Sequence, residues 1–242
     1  MKDKFFVIGD IHGELEMMRE ILEFWREDVE QLVFLGDLCD RGENAKRCFL
    51  LAKKLVEEKQ AIYLLGNHER MFLNFIEDPE SEFSRLVYFE NGGRETLESF
   101  FFKGVMEEYS LTELAMMLRS QYGELIQFLK ERPLYFEWEQ YIFVHAGVNL
   151  RVSDWRESTE KDYLWTRKDF IADKNNTGKI IVFGHTITAY LNGDTKNIDI
   201  WQEDGKIGID GGAVFGFVLY GVTFTKEGIE TIHSVENPKK RL

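Results

Sequence analysis

The chain has 242 residues, 44% of them hydrophobic, enough for a sizeable core in one domain, or in one core carrying an insertion. Its formal charge is −13, from 30 basic and 43 acidic side chains. A surface that binds long nucleic acid is ordinarily basic, so that partner is disfavoured, and no apolar run nears the roughly 20 residues of a membrane span.

In chain order, residues 4–8 read as a buried strand that stops at Gly9-Asp10-Ile11-His12-Gly13. The spacing of Leu15, Met18, Ile21, Leu22 and Trp25 predicts a helical stretch over 13–27. A strand over 31–35 runs into Gly36-Asp37-Leu38-Cys39-Asp40-Arg41-Gly42. A helix over 43–58 turns Ala45, Phe49, Ala52, Leu55 and Val56 inward, and a strand over 60–65 ends at Gly66-Asn67-His68-Glu69. This β-α-β order implies parallel strands joined by right-handed crossovers.

Residues 70–132 change character. They are aromatic-rich, charged and helical in pattern, broken at Asp78-Pro79 and at Asn91-Gly92-Gly93, with further helices over 111–117 and 124–130. The segment separates site-bearing strands and reads as a helical cap inserted within a single domain of 1–242. Its aromatics (Phe72, Phe75, Phe83, Tyr88, Phe89, Phe100, Phe101, Phe102) are assigned to packing ahead of ligand contact. After Pro133 the pattern is mostly strand: 134–138, 141–144, 179–183, 197–201, 206–209, 217–223 and 228–233. Glu139-Gln140 and Glu203-Asp204-Gly205 are hairpin turns, 173–178 is a polar loop, and the basic tail 238–242 is expected to fray. Strand 141–144 meets His145-Ala146-Gly147, and 179–183 meets Gly184-His185.

Five apolar runs thus end in Asp, His or Asn. In open α/β sheets ligands sit at the carboxyl ends of strands, so these residues point to one shared site, a hydrolytic centre with two metal ions. Asp10, His12 and Asp37 would hold the first ion, and Asp37, Asn67, His145 and His185 the second. The ions would lie roughly 3.5–4 Å apart, the spacing of two-metal hydrolases. Nitrogen and oxygen donors without thiolate suit manganese first, with iron or zinc as alternatives. Cys39 and Cys48 suggest neither a disulfide framework nor a zinc pair, and packing is the simpler role for Cys39. Arg41 offers a planar fork to phosphate oxygens, or else an ion pair to Asp40; Arg167 is a second phosphate candidate. His68, held as imidazolium by Asp40, could protonate a leaving alkoxide. Glu69 is read as a support for the loop. His233 has no assigned role.

At these residues the chain resembles the phosphoprotein phosphatase branch of the calcineurin-like metallophosphoesterases. The family pattern GDxHG, GDxxDRG, GNHE, His-Ala-Gly and Gly-His occurs in order from Gly9 to His185. Asn91-Gly92-Gly93 with Thr96 and Leu97, and residues 164–167, are most similar to the small bacterial and phage-type members. The resemblance implies a four-layer α-β-β-α sandwich, two mixed sheets flanked by helices with the metals at their edge. It also implies six metal ligands, an arginine on phosphate, and an Asp-His pair for the leaving group. Asp210-Gly211-Gly212 resembles a late turn near the family's site. Two departures stand out: Gly216-Phe217-Val218-Leu219 where relatives carry Gly-Gly-x-Leu, and Leu65 where some carry arginine. Substrate preference is the property these departures touch.

The expected activity is hydrolysis of phosphomonoesters, with phosphoserine or phosphothreonine in proteins first, by direct attack of a hydroxide held between the metals. The alternative is a diadenosine-polyphosphate hydrolase, in which the aromatic cap stacks adenines. A scaffold with a vestigial site would carry a broken ligand set, and this one is whole. With no recognisable signal peptide, a cytoplasmic location is expected. Partners would be a phosphorylated protein or a small phosphate ester or nucleotide.

Overall fold

In the computed structural model, which describes residues 2–238, alternation along β1 (Lys4–Ile8) sets the layers. Phe5 and Val7 pack with Tyr141, Phe143, Val182 and Ile207, while Phe6 and Ile8 pack with Met18, Ile21 and Phe49. Successive side chains on a strand point to opposite faces, so this five-residue run touches two cores.

The first part continues with α1 (Leu15–Leu22), β2 (Glu30–Phe34), α2 (Ala45–Lys59) and β3 (Ile62–Tyr63). Six helices follow: α3 (Asn67–Glu77), α4 (Glu82–Glu90), α5 (Gly93–Phe100), α6 (Val105–Glu108), α7 (Leu111–Gln121) and α8 (Gly123–Lys130). Then come β4 (Tyr135–Trp138), β5 (Tyr141–Val144), α9 (Glu160–Trp165), α10 (Lys168–Ala172), β6 (Ile180–Phe183) and α11 (Thr188–Leu191). The chain ends through β7 (Trp201–Glu203), β8 (Lys206–Gly208), β9 (Val218–Thr225) and β10 (Gly228–Glu236).

One sheet has the order β10-β9-β1-β2-β3 and the other β4-β5-β6-β8-β7. Both are mixed. β1, β2 and β3 run parallel, as do β5, β6 and β8, with antiparallel strands outside them. The sheets face each other across an aromatic core, with Phe5 4.3 Å from Trp138 and 5.8 Å from Phe143 between ring centroids, and Phe143 5.8 Å from Phe224. Helices cover the outer faces. On one side α1, α2 and helices α3 to α8 join a common core, where Phe72 stacks on Phe49 and on Phe100. On the other, Tyr163, Leu164 and Phe170 cover Phe183 and its neighbours. This is the expected four-layer sandwich.

Several boundaries differ from expectation. The helix expected over 13–27 spans only Leu15–Leu22, and the strand expected over 60–65 pairs only at Ile62–Tyr63. The strand expected over 197–201 is displaced to Trp201–Glu203, because the hairpin partner Lys206–Gly208 sets the register from the Asp204-Gly205 turn. α9, α10 and α11 were not anticipated. α9 begins with a capping box, Thr159 to Asp162, readable in the sequence as Thr-x-x-Asp. The last strands run longer than expected, to Thr225 and Glu236. The tail expected to fray lies, apart from Pro238, outside the described residues.

Phe143 is fully buried between the sheets. Phe143→Ala should therefore cost about 3–5 kcal/mol. Denaturant unfolding checks this, and a loss under 1 kcal/mol would mean that the inter-sheet core can close around the gap.

Candidate metal centre and its cleft

The parallel strands of both sheets bring their carboxyl ends to one edge. Asp10 follows β1, Asp37 follows β2, and Asn67 and His68 open α3 just after β3. From the other sheet, His145 follows β5, His185 follows β6 and Asp210 follows β8. Cross-sheet bonds close this edge. His145 Nδ1 lies 2.9 Å from the Leu35 carbonyl, and the His185 N–H donates to both oxygens of Asp10 at 3.1 Å.

The backbone here is unusual. Among the described residues, His12, Asp37, Asp40, Arg41 and His185 all adopt left-handed φ values of 46, 54, 67, 67 and 63°. Non-glycine residues adopt this region at a cost, and clusters of them mark functional sites. Gly36, at φ 102°, has no such choice, since a Cβ there would lie 2.7 Å from the Gly66 backbone.

Glu69 is the fixture that holds these turns. Its fully buried carboxylate accepts the N–H groups of Asp37 and Gly66 at 2.9 Å, the Leu38 N–H at 2.7 Å and the Tyr63 hydroxyl at 2.9 Å. The supporting role read from the sequence is thus what its contacts describe. Thr96, from α5, was singled out only through the family resemblance. Its hydroxyl donates to Asp40 Oδ1 at 2.6 Å and accepts the Asp40 N–H at 2.8 Å. Asp40 Oδ2 in turn lies 2.7 Å from His68 Nδ1. The alternative Arg41–Asp40 ion pair does not form among the described residues. The Arg41 guanidinium instead reaches His12 Nε2 at 2.7 Å and lies over the Phe215 ring at 5.2 Å.

His12, Asp37 and His68 form one group able to hold a cation, and Asp37, His145 and His185 a second. Asp37 is common to both, as a bridging carboxylate would be. His12 Nδ1 is 2.7 Å from the Cys39 carbonyl, so Nδ1 donates there and Nε2 is left with its lone pair. The bond from His145 Nδ1 to Leu35 does the same, and the free His145 Nε2 faces Asn67 Oδ1 at 2.8 Å. Two acceptors that meet in this way fit two ligands on one cation. His185 Nε2 is buried with no hydrogen-bond partner among the described residues. The residues present therefore fit a metal centre. Asp10 sits beside it, next to Asp210 and Asp37.

Electrostatics point the same way. Burial first, then the neighbouring carboxylates, pushes Asp10 and Asp37 well above the usual carboxylate range. Burial pushes the imidazoles down, His145 to about 3, which keeps them neutral and free to ligate. Burial raises Asp210 to about 6. The sequence marks it only by its turn, yet it follows a parallel strand as His185 does, so the strand-end pattern reaches it too.

A cleft of about 730 Å³ opens from this edge. Arg41, Arg167, Lys168, His185 and Asp210 line its polar end, and Ile187, Tyr190, Leu191 and Phe215 an apolar wall. Arg167 donates to the His185 carbonyl at 2.7 Å and to Thr186 Oγ1 at 3.1 Å.

The sequence pattern of the calcineurin-like phosphoesterases matches residues 3–211. This chain belongs to that family. Among similar proteins is the bis(5'-nucleosyl)-tetraphosphatase PrpE [asymmetrical] of Oceanobacillus iheyensis, 24% identical over 96% of this phosphoesterase and 92% of that protein. Serine/threonine-protein phosphatase 1 of Salmonella typhimurium is 28% identical, covering 87% of each chain. The solved structure of a protein serine/threonine phosphatase from Saccharomyces cerevisiae superposes with a TM-score of 0.58 at 14% identity, covering 98% of this chain and 81% of that one. At that identity the likeness speaks for the fold alone. The phosphoesterase is a metal-dependent hydrolase, and its Asp and His clusters can bind metal. No helix among the described residues is long and apolar enough to cross a membrane.

In the unfolded chain Asp210 ionises near 3.8, and in the folded one at about 6. The folded form holds this proton more tightly. The stability it contributes is present below pH 3.8 and is lost as pH rises through about 6. Asp210→Asn should therefore raise the thermal midpoint of metal-free protein at pH 8 and leave it unchanged at pH 3.5. Equal shifts at both pH values would show that ionisation of Asp210 is not the source.

Proposed function

We propose that this phosphoesterase hydrolyses a dinucleoside polyphosphate at two divalent cations, manganese first. Asp10, His12, Asp37, Asn67, His145 and His185 would hold the ions. The observation that carries the substrate is the cleft: in a chain of net charge −13, it sets Arg41, Arg167 and Lys168 against the single carboxylate of Asp210. A polyphosphate chain matches several cations, while one ester phosphate needs fewer. The apolar wall beyond, with Tyr190 and Phe215, suits a nucleoside. Relatives named as bis(5'-nucleosyl)-tetraphosphatases, matched over nearly the whole chain, support the same reading.

The cations, when bound, supply Lewis acidity at the phosphoryl oxygens and an activated water. The chain's own residues do the rest. Arg41, Arg167 and Asn67 hold the phosphate oxygens. Water, giving up one proton to solvent, adds to phosphorus, the bond to the bridging oxygen breaks, and that oxygen takes a proton from His68 Nε2, which solvent then restores. Asp40, 2.7 Å from His68 Nδ1, fixes the ring. Burial raises Asp40 and lowers His68, so the carboxyl holds its proton and donates it to Nδ1 while the neutral ring keeps its N–H on Nε2; as Nε2 gives up that proton, Asp40 passes its own to Nδ1. We read 1–242 as one catalytic domain, with 70–132 inserted, working in the cytoplasm.

The second reading, a phosphoserine/phosphothreonine phosphatase, is favoured by that same Asp40–His68 pair. A serine alkoxide needs a proton as it departs, far more than a phosphate leaving group does. Relatives named as serine/threonine-protein phosphatases are similar over much of the chain. Turnover of diadenosine tetraphosphate against a phosphoserine peptide, at equal manganese, decides between the readings. A preference for the peptide overturns the first.

His68→Ala should lower turnover of an alkyl phosphate by about 100-fold or more, and of p-nitrophenyl phosphate much less. Equal losses on both esters would remove His68 as the proton donor. Arg41→Ala should raise KM for both substrates by about tenfold, with metal content by atomic absorption unchanged.

A further inference from the structure

A second cavity, of about 500 Å³, lies on the far side of the segment that builds the cleft. Trp165 closes α9 and lines this cavity, while Arg167 and Lys168, two and three residues on, line the first. The Trp165 ring also stands edge-on to His185, 6.3 Å between centroids. The two cavities therefore border one segment, 165–168, which meets the metal centre at His185. The floor of the second is α3, the helix that starts with Asn67 and His68, through Arg70, Met71 and Asn74.

The lining has the chemistry of a base site. Phe83 on α4 is 76% exposed, and Trp165 38%, so each offers an aromatic face to the outside. Phe83 is in no ring-to-ring contact among the described residues. Asn74 is exposed, and its amide presents a donor and an acceptor side by side, the pattern that reads the edge of a purine. Arg70 donates to Glu160 at 2.7 Å, while its Nε is buried with no hydrogen-bond partner among the described residues. Apolar faces with a few convergent polar groups, one of them unsatisfied, describe a ligand site better than a surface dimple.

We propose that this second cavity receives the distal nucleobase of the dinucleoside polyphosphate, stacked on Phe83 and Trp165 with its edge on Asn74. The inference rests on the substrate reading above and adds to it a subsite for the second nucleoside. The first nucleoside lies along Tyr190 and Phe215, the polyphosphate crosses that segment at Arg167, and the second base settles beyond Trp165. A phosphopeptide side chain is the competing occupant.

Steady-state kinetics on three substrates test this: diadenosine tetraphosphate, p-nitrophenyl phosphate, which has no nucleobase, and a phosphoserine peptide. Phe83→Leu keeps apolar bulk and removes the π face, and Asn74→Ala removes the edge contact; neither residue touches the metal centre. Each should raise KM for the dinucleotide by about tenfold, from the worth of one stacked base, with p-nitrophenyl phosphate unchanged. Asn74→Ala should also narrow the preference for diadenosine over dicytidine tetraphosphate. Unchanged dinucleotide kinetics, or an equal loss on p-nitrophenyl phosphate, overturns the subsite while the substrate reading stands. A KM shift confined to the peptide assigns the cavity to a peptide side chain and overturns it too. If the unaltered enzyme leaves the dinucleotide intact, the substrate reading falls and takes the subsite with it.

Discussion

Five carboxylates, those of Asp10, Asp37, Asp40, Glu69 and Asp210, lie buried where the two sheets meet. Buried charge is costly unless it is paired or solvated by donors, and the rest of the site follows from how each group is compensated. Glu69 is satisfied by three backbone N–H groups and the Tyr63 hydroxyl. Asp40 has Thr96 on one oxygen and His68 on the other. Asp10 accepts from the His185 N–H, and Asp37 from the His68 N–H at 3.0 Å. These last two retain lone pairs, beside imidazoles whose Nε2 atoms are also acceptors. The local excess of negative charge and lone pairs is what a cation relieves.

That excess also explains the strained turns. A regular strand exit would fan these side chains apart. Left-handed backbone at His12, Asp37, Asp40, Arg41 and His185 folds them back over the strand ends. The surrounding structure sustains this strain because both sheets are locked by an aromatic core, and because Glu69 ties the loop after β2 to the start of α3. Rigidity here is distributed: the inter-sheet rings hold the sheets in register, and the buried carboxylate holds the loops to the sheets.

Helices α4 and α5 belong to this support. Gly92 accepts the Arg41 N–H at 3.1 Å and Thr96 holds Asp40, so the two fix the Asp40–Arg41 turn as they bury Phe72, Phe100 and Tyr88. Phe83 and Phe102 stay exposed, and Phe83 lines the second cavity. The other aromatics assigned to packing do pack.

The sequence by itself determined the strand ends and their donors. An apolar run that stops at Asp, His or Asn is a local signal, and the parallel order of those strands follows from the β-α-β alternation. Composition likewise set the acidic envelope. Only the tertiary structure decided how far each donor is satisfied, because the partners are remote in sequence: Thr96 stands 56 residues from Asp40, and Leu35 110 residues from His145. It also decided the cleft beside the metal centre. α9, α10 and α11 have four to six residues each, too short for a helical period to stand out from its surroundings. Apart from the Thr159–Asp162 capping box that opens α9, no local pattern marks them, and the places of Trp165, Arg167 and Tyr190 come from tertiary packing.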